Sequence, residues 1–297
     1  MKPSIVAGPL VIALAALAAC AKPNAERPPE IALAEVTLPA PSVGAPLSPE
    51  TEKKLRAAMA GAHRTESARE RDKYRHPVET LGFFGLKDDM TVVELWAGSG
   101  WYTALLGPVL AERGKLVATI HDATGPKDDI EASIARSFLE KKEKFPEALG
   151  KVATVTEPKS GDVVLGADGS ADLVVSFRSV HNWMDEKYEA KVFAAAFRVL
   201  KHGGVFGLTE HRAKPGSDPK LATKTGYVPE AYVVALAERA GFKLAARSEI
   251  NANPKDTKDY AKGVWTLPPV LELGDKDREK YLAIGESDRM TLKFVKP

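Results

Sequence analysis

The sequence predicts an α/β fold: a doubly wound, seven-stranded, mostly parallel sheet with an N-terminal helical extension. From Thr91 onward, short apolar segments rich in β-branched residues alternate with segments of helical pattern. Strands that alternate with helices in this way are typical of a parallel sheet. A glycine-containing segment, residues 97–100, follows the first strong strand and precedes a helix. Open α/β sheets bind their ligands at this kind of position, beyond the carboxyl ends of the strands.

The individual elements follow from hydrophobic periodicity and from the glycines and prolines that interrupt it. The predicted strands are 91–95, 115–120, 151–156, 172–176, 205–210, 243–250 and 290–295. The predicted helices between them are 101–112, 128–145, 186–199 and 229–240. No clear helical pattern separates the last two strands, so we expect those two to pair antiparallel.

The segment before the first strand is predicted to be helical. Ser48 is a suitable N-cap and Pro49 a suitable first helical residue. Helical composition continues to about Tyr74, and a short helix is possible over residues 76–81. We expect this extension, residues 48–80, to cover one side of the main domain, residues 81–297.

The first 47 residues have the composition of an export signal and a tether. Residues 1–19 contain one lysine, a short apolar stretch and small residues, as in a secretory signal. Leu17-Ala18-Ala19-Cys20 resembles the bacterial lipobox, which implies cleavage before Cys20 and lipidation of its thiol. Residues 20–47 are rich in proline and alanine and are predicted to be a tether. We therefore expect a lipid-anchored protein on the periplasmic side of the envelope, in the outer membrane because Ala21 follows the cysteine. An uncleaved anchor or a buried thiol is the alternative.

The overall composition excludes several classes of protein. The hydrophobic fraction is 44% and the formal net charge is +2, with acidic and basic residues interleaved. This gives no electrostatic basis for nucleic-acid binding. The single cysteine excludes an internal disulfide, and no histidine or cysteine spacing predicts a metal site.

The segment from Glu94 to Thr103 limits the choice of cofactor. A dinucleotide fingerprint, G-x-G-x-x-G, would need glycine where Thr103 stands, and no P-loop pattern occurs. S-adenosylmethionine is the remaining class, since its turn carries an acid at the strand end followed by glycines. Glu94 supplies that acid, and Ala97, Gly98 and Gly100 form the turn. An ordinary strand-to-helix loop is the alternative.

Three further residues at predicted strand ends are candidates for cofactor binding. Asp122 follows the second strand and could accept hydrogen bonds from ribose hydroxyls. Glu157 follows the third strand and could meet the adenine amino group. Arg178 follows the fourth strand and would lie at the same edge of the sheet.

The succession of motifs resembles the class I S-adenosylmethionine-dependent methyltransferases over roughly residues 80–297. More narrowly, it is similar to a family of predicted bacterial methyltransferases that are often exported. The residues that carry this resemblance are RHPVETLGFFGL, VVELWAGSGWYT, VHNW, LTEHRA, SEINANPKDTKDYAKGVWTLPP and AIGESDRMTLKF. The general class often has E/D-x-G-x-G-x-G at the turn. Trp96 here replaces the first glycine, while Gly98 and Gly100 remain.

Candidate catalytic residues follow the fourth and fifth strands. His181 is a possible general base, with a backbone-bonded structural histidine as the alternative. Asn182 could bind an acceptor, and His211 lies at the end of the neighbouring strand. Trp183 could stack on an acceptor or pack in the core, and Arg212 could bind an acidic substrate or form a surface ion pair.

Other segments have expected roles around this site. The irregular segment 248–269 is a possible lid, and its polar residues could line an acceptor pocket. Residues 286–289 are expected to form an ion-pair network with Arg75, which could close the cofactor site.

These observations predict methyl transfer from S-adenosylmethionine to an acceptor, either a small molecule or an envelope component. Two alternatives remain open. The domain could be a non-catalytic binding module for a nucleoside-like or small polar ligand. It could also be a nicotinamide-dependent oxidoreductase, although Thr103 stands where the dinucleotide fingerprint needs glycine. The sequence assigns no oligomeric state.

Overall fold

The computed structural model describes residues 38–157 and 161–297, which contain one seven-stranded sheet. Its strands are β1 (Thr91–Leu95), β2 (Lys115–Ile120), β3 (Ala153–Thr156), β4 (Ala171–Phe177), β5 (Leu200–His211), β6 (Lys243–Ser248) and β7 (Arg289–Val295). The strand order is β3-β2-β1-β4-β5-β7-β6. Pairings from β3 to β5 are parallel, whereas β7 runs antiparallel to β5 and β6. The predicted sheet and the antiparallel pairing of the last two strands are confirmed.

The α-helices of the described residues precede the sheet or connect its strands. They are α1 (Pro49–Ala60), α2 (Glu66–Glu70), α3 (Asp72–Arg75), α4 (Pro77–Phe84), α5 (Thr103–Leu110), α6 (Ile130–Lys144), α7 (Pro146–Leu149), α8 (Val180–Asp185), α9 (Glu189–Val199), α10 (Ala222–Thr225), α11 (Glu230–Arg239) and α12 (Arg278–Ile284). The Ser48 side chain accepts a hydrogen bond from the Thr51 amide, with Pro49 in the first turn, as predicted.

Four elements differ from the prediction, the first being α12, which lies between the last two strands, where no helix is predicted. The helical extension is interrupted after α1, and the Thr65 side chain caps α2 by accepting from the Ala68 amide. Residues 180–185 form the separate helix α8 before α9. The sequence predicts a glycine turn before a shorter fifth strand. Strand β5 instead begins at Leu200, because Gly203, with φ 76°, lets the chain pass through an irregularity in the pairing with β4.

The end of the predicted tether packs against the domain. The Ser42 amide donates a 2.8 Å hydrogen bond to the Arg247 carbonyl, and the Leu47 side chain is buried in the core. The predicted signal and Cys20 lie outside the described residues. Across residues 38–157 and 161–297, no helix is long and apolar enough to cross a membrane.

The sheet topology determines where a site can form. The chain runs outward from β1 through β2 to β3 and then returns to β4 on the other side of β1. At this reversal of strand order, the loops after β1 and β4 leave a crevice at the carboxyl edge of the sheet. Residues 96–102 and 178–179 fill those two loops.

Candidate cofactor and acceptor site

The turn after β1 has a left-handed backbone at three positions. Trp96, Gly98 and Gly100 have φ values of 46°, 56° and 74°. A β-carbon placed on Gly98 would have no heavy atom within 4 Å, so the turn borders open space at that residue. Among the described residues, the Gly98 and Ser99 amides have no hydrogen-bond acceptor. They are therefore available to a ligand.

A cavity of about 230 Å³ lies over this turn. Five of the predicted site residues line it: Glu94, Ala97, Gly98, Arg178 and Asn182. The rest of its wall is formed by Arg71, Arg75, Trp96, Ser99, Trp101, Tyr102, His121, Ile134, Phe177 and Ser179. A groove of about 960 Å³ shares Arg71, Ser99 and Trp101 with the cavity, so the two adjoin.

Glu94 lies at the base of the cavity with its side chain buried. Its Oε2 accepts a 2.6 Å hydrogen bond from the Thr103 hydroxyl. Burial raises the pKa of Glu94 to about 8, and the bond from Thr103 only partly opposes this shift. The carboxyl is therefore mainly protonated at neutral pH in the free protein. Thr103, the residue that breaks the dinucleotide fingerprint, is thus the partner that holds this acid.

Three predicted cofactor-binding residues do not line the cavity. A β-carbon on Gly100 would come within 3.0 Å of the Phe138 ring, so this glycine permits packing against α6. The Asp122 carboxylate accepts from the amide and hydroxyl of Thr124 and stabilises its own loop. Gly100 and Asp122 are therefore absent from the cavity wall.

Glu157 supports the turn after β1 and does not line the cavity. Its Oε1 accepts from the Trp96 amide at 3.2 Å and from the Thr119 hydroxyl. Burial raises its pKa to about 8. Oε1 thus holds the backbone of Trp96, while Oε2 has no hydrogen-bond partner among the described residues, and the contact with the adenine amino group stays a prediction.

The predicted catalytic histidines form a buried cluster with Glu210. His181 Nδ1 lies 3.2 Å from Glu210 Oε1, and the His181 and His211 ring centroids are 5.3 Å apart. Burial lowers the pKa of His211 well below its usual value, and the charges of His181 and nearby arginines add to this effect. His211 Nδ1 is 2.5 Å from the Ser287 hydroxyl. Neither histidine lines the cavity, whereas Asn182 does.

The same cluster has ligand atoms within 4.8 Å of one another, a spacing that could hold a metal ion. Glu210 is already engaged, since its Oε2 accepts from the Val180 amide and its Oε1 from the His211 amide. The positive charges that lower the His211 pKa would also oppose a cation. The contacts therefore favour a role for Glu210 in fixing the start of α8 next to the end of β5.

Two further candidates have structural roles. Trp183 is fully buried and packs edge-on against Phe193, so of its two expected roles it has the one in the core. Arg212 donates to Asp288 and Glu249 at 2.7–3.0 Å, which leaves its guanidinium committed within the protein.

The predicted lid, residues 248–269, is held by internal contacts. The Asn251 amide donates to Thr80 and Thr291, and Asp256 accepts from the Tyr227 hydroxyl and the Asp288 amide. These polar residues stabilise the loop and do not line the cavity.

The structure adds Arg71, Trp101 and Tyr102 to the site, where the sequence did not place them, and it brings the expected Arg75 beside them. Trp101 and Tyr102 form one wall, and Arg71 and Arg75 approach from α3 and the residue before it. The Arg75 guanidinium carbon lies 4.4 Å from the Trp101 ring centroid. The expected network of Arg75 with residues 286–289 is present, since Arg75 Nε is 3.7 Å from Glu286 Oε2.

The residues present fit the methionyl part of S-adenosylmethionine. Free amides at Gly98 and Ser99 can bind its carboxylate, and Glu94 can pair with its ammonium group. The cavity is smaller than the roughly 300–1,000 Å³ of most ligand pockets. The half-buried Trp96 indole, 4.9 Å from the His121 ring, borders the space on the side of β2. The nucleoside would therefore need this indole to shift or would extend into the adjoining groove.

Comparison with known proteins agrees with this geometry. A family model described as a methyltransferase domain matches residues 149–208, from α7 to β5. No curated protein matches the chain. The glycine turn lies outside the matched residues.

Two solved structures share the fold. A S-adenosylmethionine-dependent methyltransferase from Aquifex aeolicus has a TM-score of 0.51 at 17% identity, covering 77% of this chain and 93% of its own. The 4+2 cyclase SpnF has a TM-score of 0.50 at 12% identity, covering 86% and 99%. At these identities the similarity establishes the fold alone. The chain thus has the Rossmann-like methyltransferase fold, and its match to the methyltransferase domain family supports an enzyme of the S-adenosylmethionine-dependent class.

Proposed function

We propose that this protein transfers the methyl group of S-adenosylmethionine to an acceptor that enters through the groove beside the cavity. The observation that carries the proposal is the open backbone at Gly98, with a buried carboxyl below it. A left-handed glycine with free amides next to it is what close approach of a carboxylate requires. The methyltransferase family match supports the same chemistry independently.

The side chains around the cavity have distinct roles in this proposal. The Gly98 and Ser99 amides hold the methionyl carboxylate, and Glu94 holds the ammonium group. The bound cofactor supplies an electrophilic methyl carbon on a sulfonium. The acceptor's lone pair would form a bond to that carbon while the carbon–sulfur bond breaks. The electron pair of the broken bond would stay on sulfur, which becomes a thioether. Asn182 orients the acceptor from the cavity wall, which is the main contribution such a reaction needs.

We also propose that the enzyme acts as a lipid-anchored protein on the periplasmic side of the envelope. The support is the signal-like composition of residues 1–19 and the lipobox-like position of Cys20. Cys20→Ser should release the protein from the membrane fraction or block its processing. An unchanged membrane fraction would contradict lipidation.

The alternative function is a binding module that retains the fold without transfer. It is favoured by the small size of the cavity and by the Trp96 indole at its edge. A related fold in a protein described as a cyclase also shows that this architecture does not fix the reaction.

One experiment separates the two functions. The chain is incubated with methyl-labelled S-adenosylmethionine and an envelope extract, and label in acceptor and formation of S-adenosylhomocysteine are measured together. Methyl transfer predicts equal amounts of both. Cofactor binding by calorimetry without either product would support the binding module, and no cofactor binding would contradict the enzyme.

A further inference from the structure

Four arginines gather beside the cavity around a single ionised carboxylate, that of Glu286. Arg71 Nε lies 2.5 Å from Glu286 Oε1, Arg289 Nη2 lies 2.8 Å from Oε2, and Arg75 Nε lies 3.7 Å from Oε2. These positive charges hold the pKa of Glu286 at about 2, against its burial. The fourth arginine, Arg178, has no carboxylate within ion-pair distance among the described residues. The cluster therefore carries an excess of positive charge.

Several donors of this cluster have no acceptor. The Arg75 side chain is 1% exposed, and its Nη2 and Nε have no hydrogen-bond partner among the described residues. Nη2 of Arg71 is also buried without an acceptor in the part of the chain that the structure describes. Burial, opposed by Glu286 but reinforced by the other arginines, lowers the pKa of Arg178 to about 10. Such donors are costly to bury unless something accepts from them.

Three arginines of this cluster border the space where a ligand would bind. Arg71, Arg75 and Arg178 all line the cavity, on the side that also contains Ser179 and Asn182. Glu94 lines the cavity too, but its raised pKa keeps it mainly neutral in the free protein, and in the proposed complex it pairs with the cofactor's ammonium group, so it does not offset the charge of the arginines. Guanidinium groups bind carboxylate and phosphate oxygens through two parallel hydrogen bonds.

S-adenosylmethionine alone does not supply the missing negative charge. In the proposed complex its carboxylate binds the Gly98 and Ser99 amides and its ammonium group pairs with Glu94, so it offers no oxyanion to the arginines, while its sulfonium adds a positive charge nearby. An acceptor that brings its own oxyanion would balance the site. We propose that Arg178 and Arg75 bind a carboxylate or phosphate group of the methyl acceptor, an inference that rests on the proposed methyl transfer.

The test uses the full chain and two simple anions. Sodium phosphate and sodium acetate are titrated at constant ionic strength, without cofactor, into the wild type, Arg178→Gln and Arg56→Gln. Arg56 is a matched control because its side chain is 62% exposed and pairs with Glu52 on the same helix. Binding is followed by calorimetry and by thermal unfolding, and S-adenosylmethionine affinity is measured on all three proteins.

We expect saturable anion binding to the wild type and to Arg56→Gln, and at least about tenfold weaker binding to Arg178→Gln. S-adenosylmethionine affinity should be retained or increased in Arg178→Gln, because a positive charge is removed. Tighter binding of phosphate than acetate would indicate a phosphorylated acceptor, and the reverse a carboxylic one.

Two results would overturn the inference. One is the absence of saturable anion binding to the wild type. The other is a loss of cofactor affinity in Arg178→Gln as large as the loss of anion affinity, which would assign Arg178 to the cofactor carboxylate. A wild type that binds phosphate but not S-adenosylmethionine would instead contradict the methyltransferase, and the acceptor assignment with it.

Discussion

The substitution Gly98→Ala separates the shape of the turn from the stability of the fold. Gly98 has φ 56°, and an added β-carbon would meet no heavy atom within 4 Å. The variant should therefore fold, at the cost of a left-handed alanine, about 1–2 kcal/mol. For a domain of this size that corresponds to a fall in Tm of roughly 2–8 °C.

The effect on the cofactor should be larger than this backbone cost implies. The new methyl group would protrude into the cavity, where the ligand has to approach the Gly98 and Ser99 amides closely. We expect the Kd for S-adenosylmethionine to rise at least about tenfold, or ~1.4 kcal/mol. Calorimetric titration of the folded variant measures this directly.

Gly169→Ala provides the matched control. Gly169 has φ 64°, an added β-carbon there also meets nothing within 4 Å, and it precedes β4 at the opposite edge of the sheet. It should show the same loss of Tm with unchanged cofactor affinity. Equal affinities of the two variants would refute the claim that the turn at Gly98 contacts the cofactor.

Three further substitutions test other parts of the site. The difference in free energy of unfolding between Glu94→Gln and the wild type, measured by urea unfolding, should shift in favour of the variant by on the order of 2–4 kcal/mol as the pH rises from 5 to 8. The folded-state pKa of Glu94, about 8, lies above its unfolded value, so its stabilising contribution is complete below pH 4.5 and is lost as the pH rises through 8; a pH-independent difference would contradict this. His181→Ala should lower Tm while the turnover rate and the affinity for cofactor change by less than about threefold, because His181 contacts Glu210 and does not line the cavity. Turnover slowed by a factor of about 100 or more, at unchanged cofactor affinity, would instead make it the general base. Arg212→Ala should cost about 1–3 kcal/mol of stability, since it removes one of the two cationic partners of Asp288 and of Glu249, and should not alter cofactor affinity in calorimetry.

The fold could be predicted because its signals are local. Most strands contain a short apolar run, and the glycines at 98 and 100 mark the loop after β1. The positions of Glu94 and Gly98 at the cavity follow from their places near the end of a central strand and in the loop that follows it. The start of β5 at Leu200 could not be predicted, because its glycines have the pattern of a turn and only the pairing with β4 extends the strand through them.

The sequence predicts the contact of Arg75 with residues 286–289 in the arginine cluster. It does not predict that Arg71 joins them, because that depends on contacts between segments far apart in the sequence. Arg71 and Arg75 come from the helical extension, whereas Glu286 lies near the C-terminus. The positions of Asp122 and Glu157 after strands predict contacts with the cofactor. In the structure their carboxylates accept from Thr124 and from the Trp96 amide, contacts that the position of a residue after a strand does not reveal.

A crystal structure of the chain soaked with S-adenosylmethionine tests the central claim most directly. The account predicts density for the methionyl carboxylate on the Gly98 and Ser99 amides, with its ammonium group near Glu94 and the Trp96 indole beside the nucleoside. A fully folded protein whose cavity stays free of cofactor at saturating concentration, with Trp96 unmoved, would contradict it.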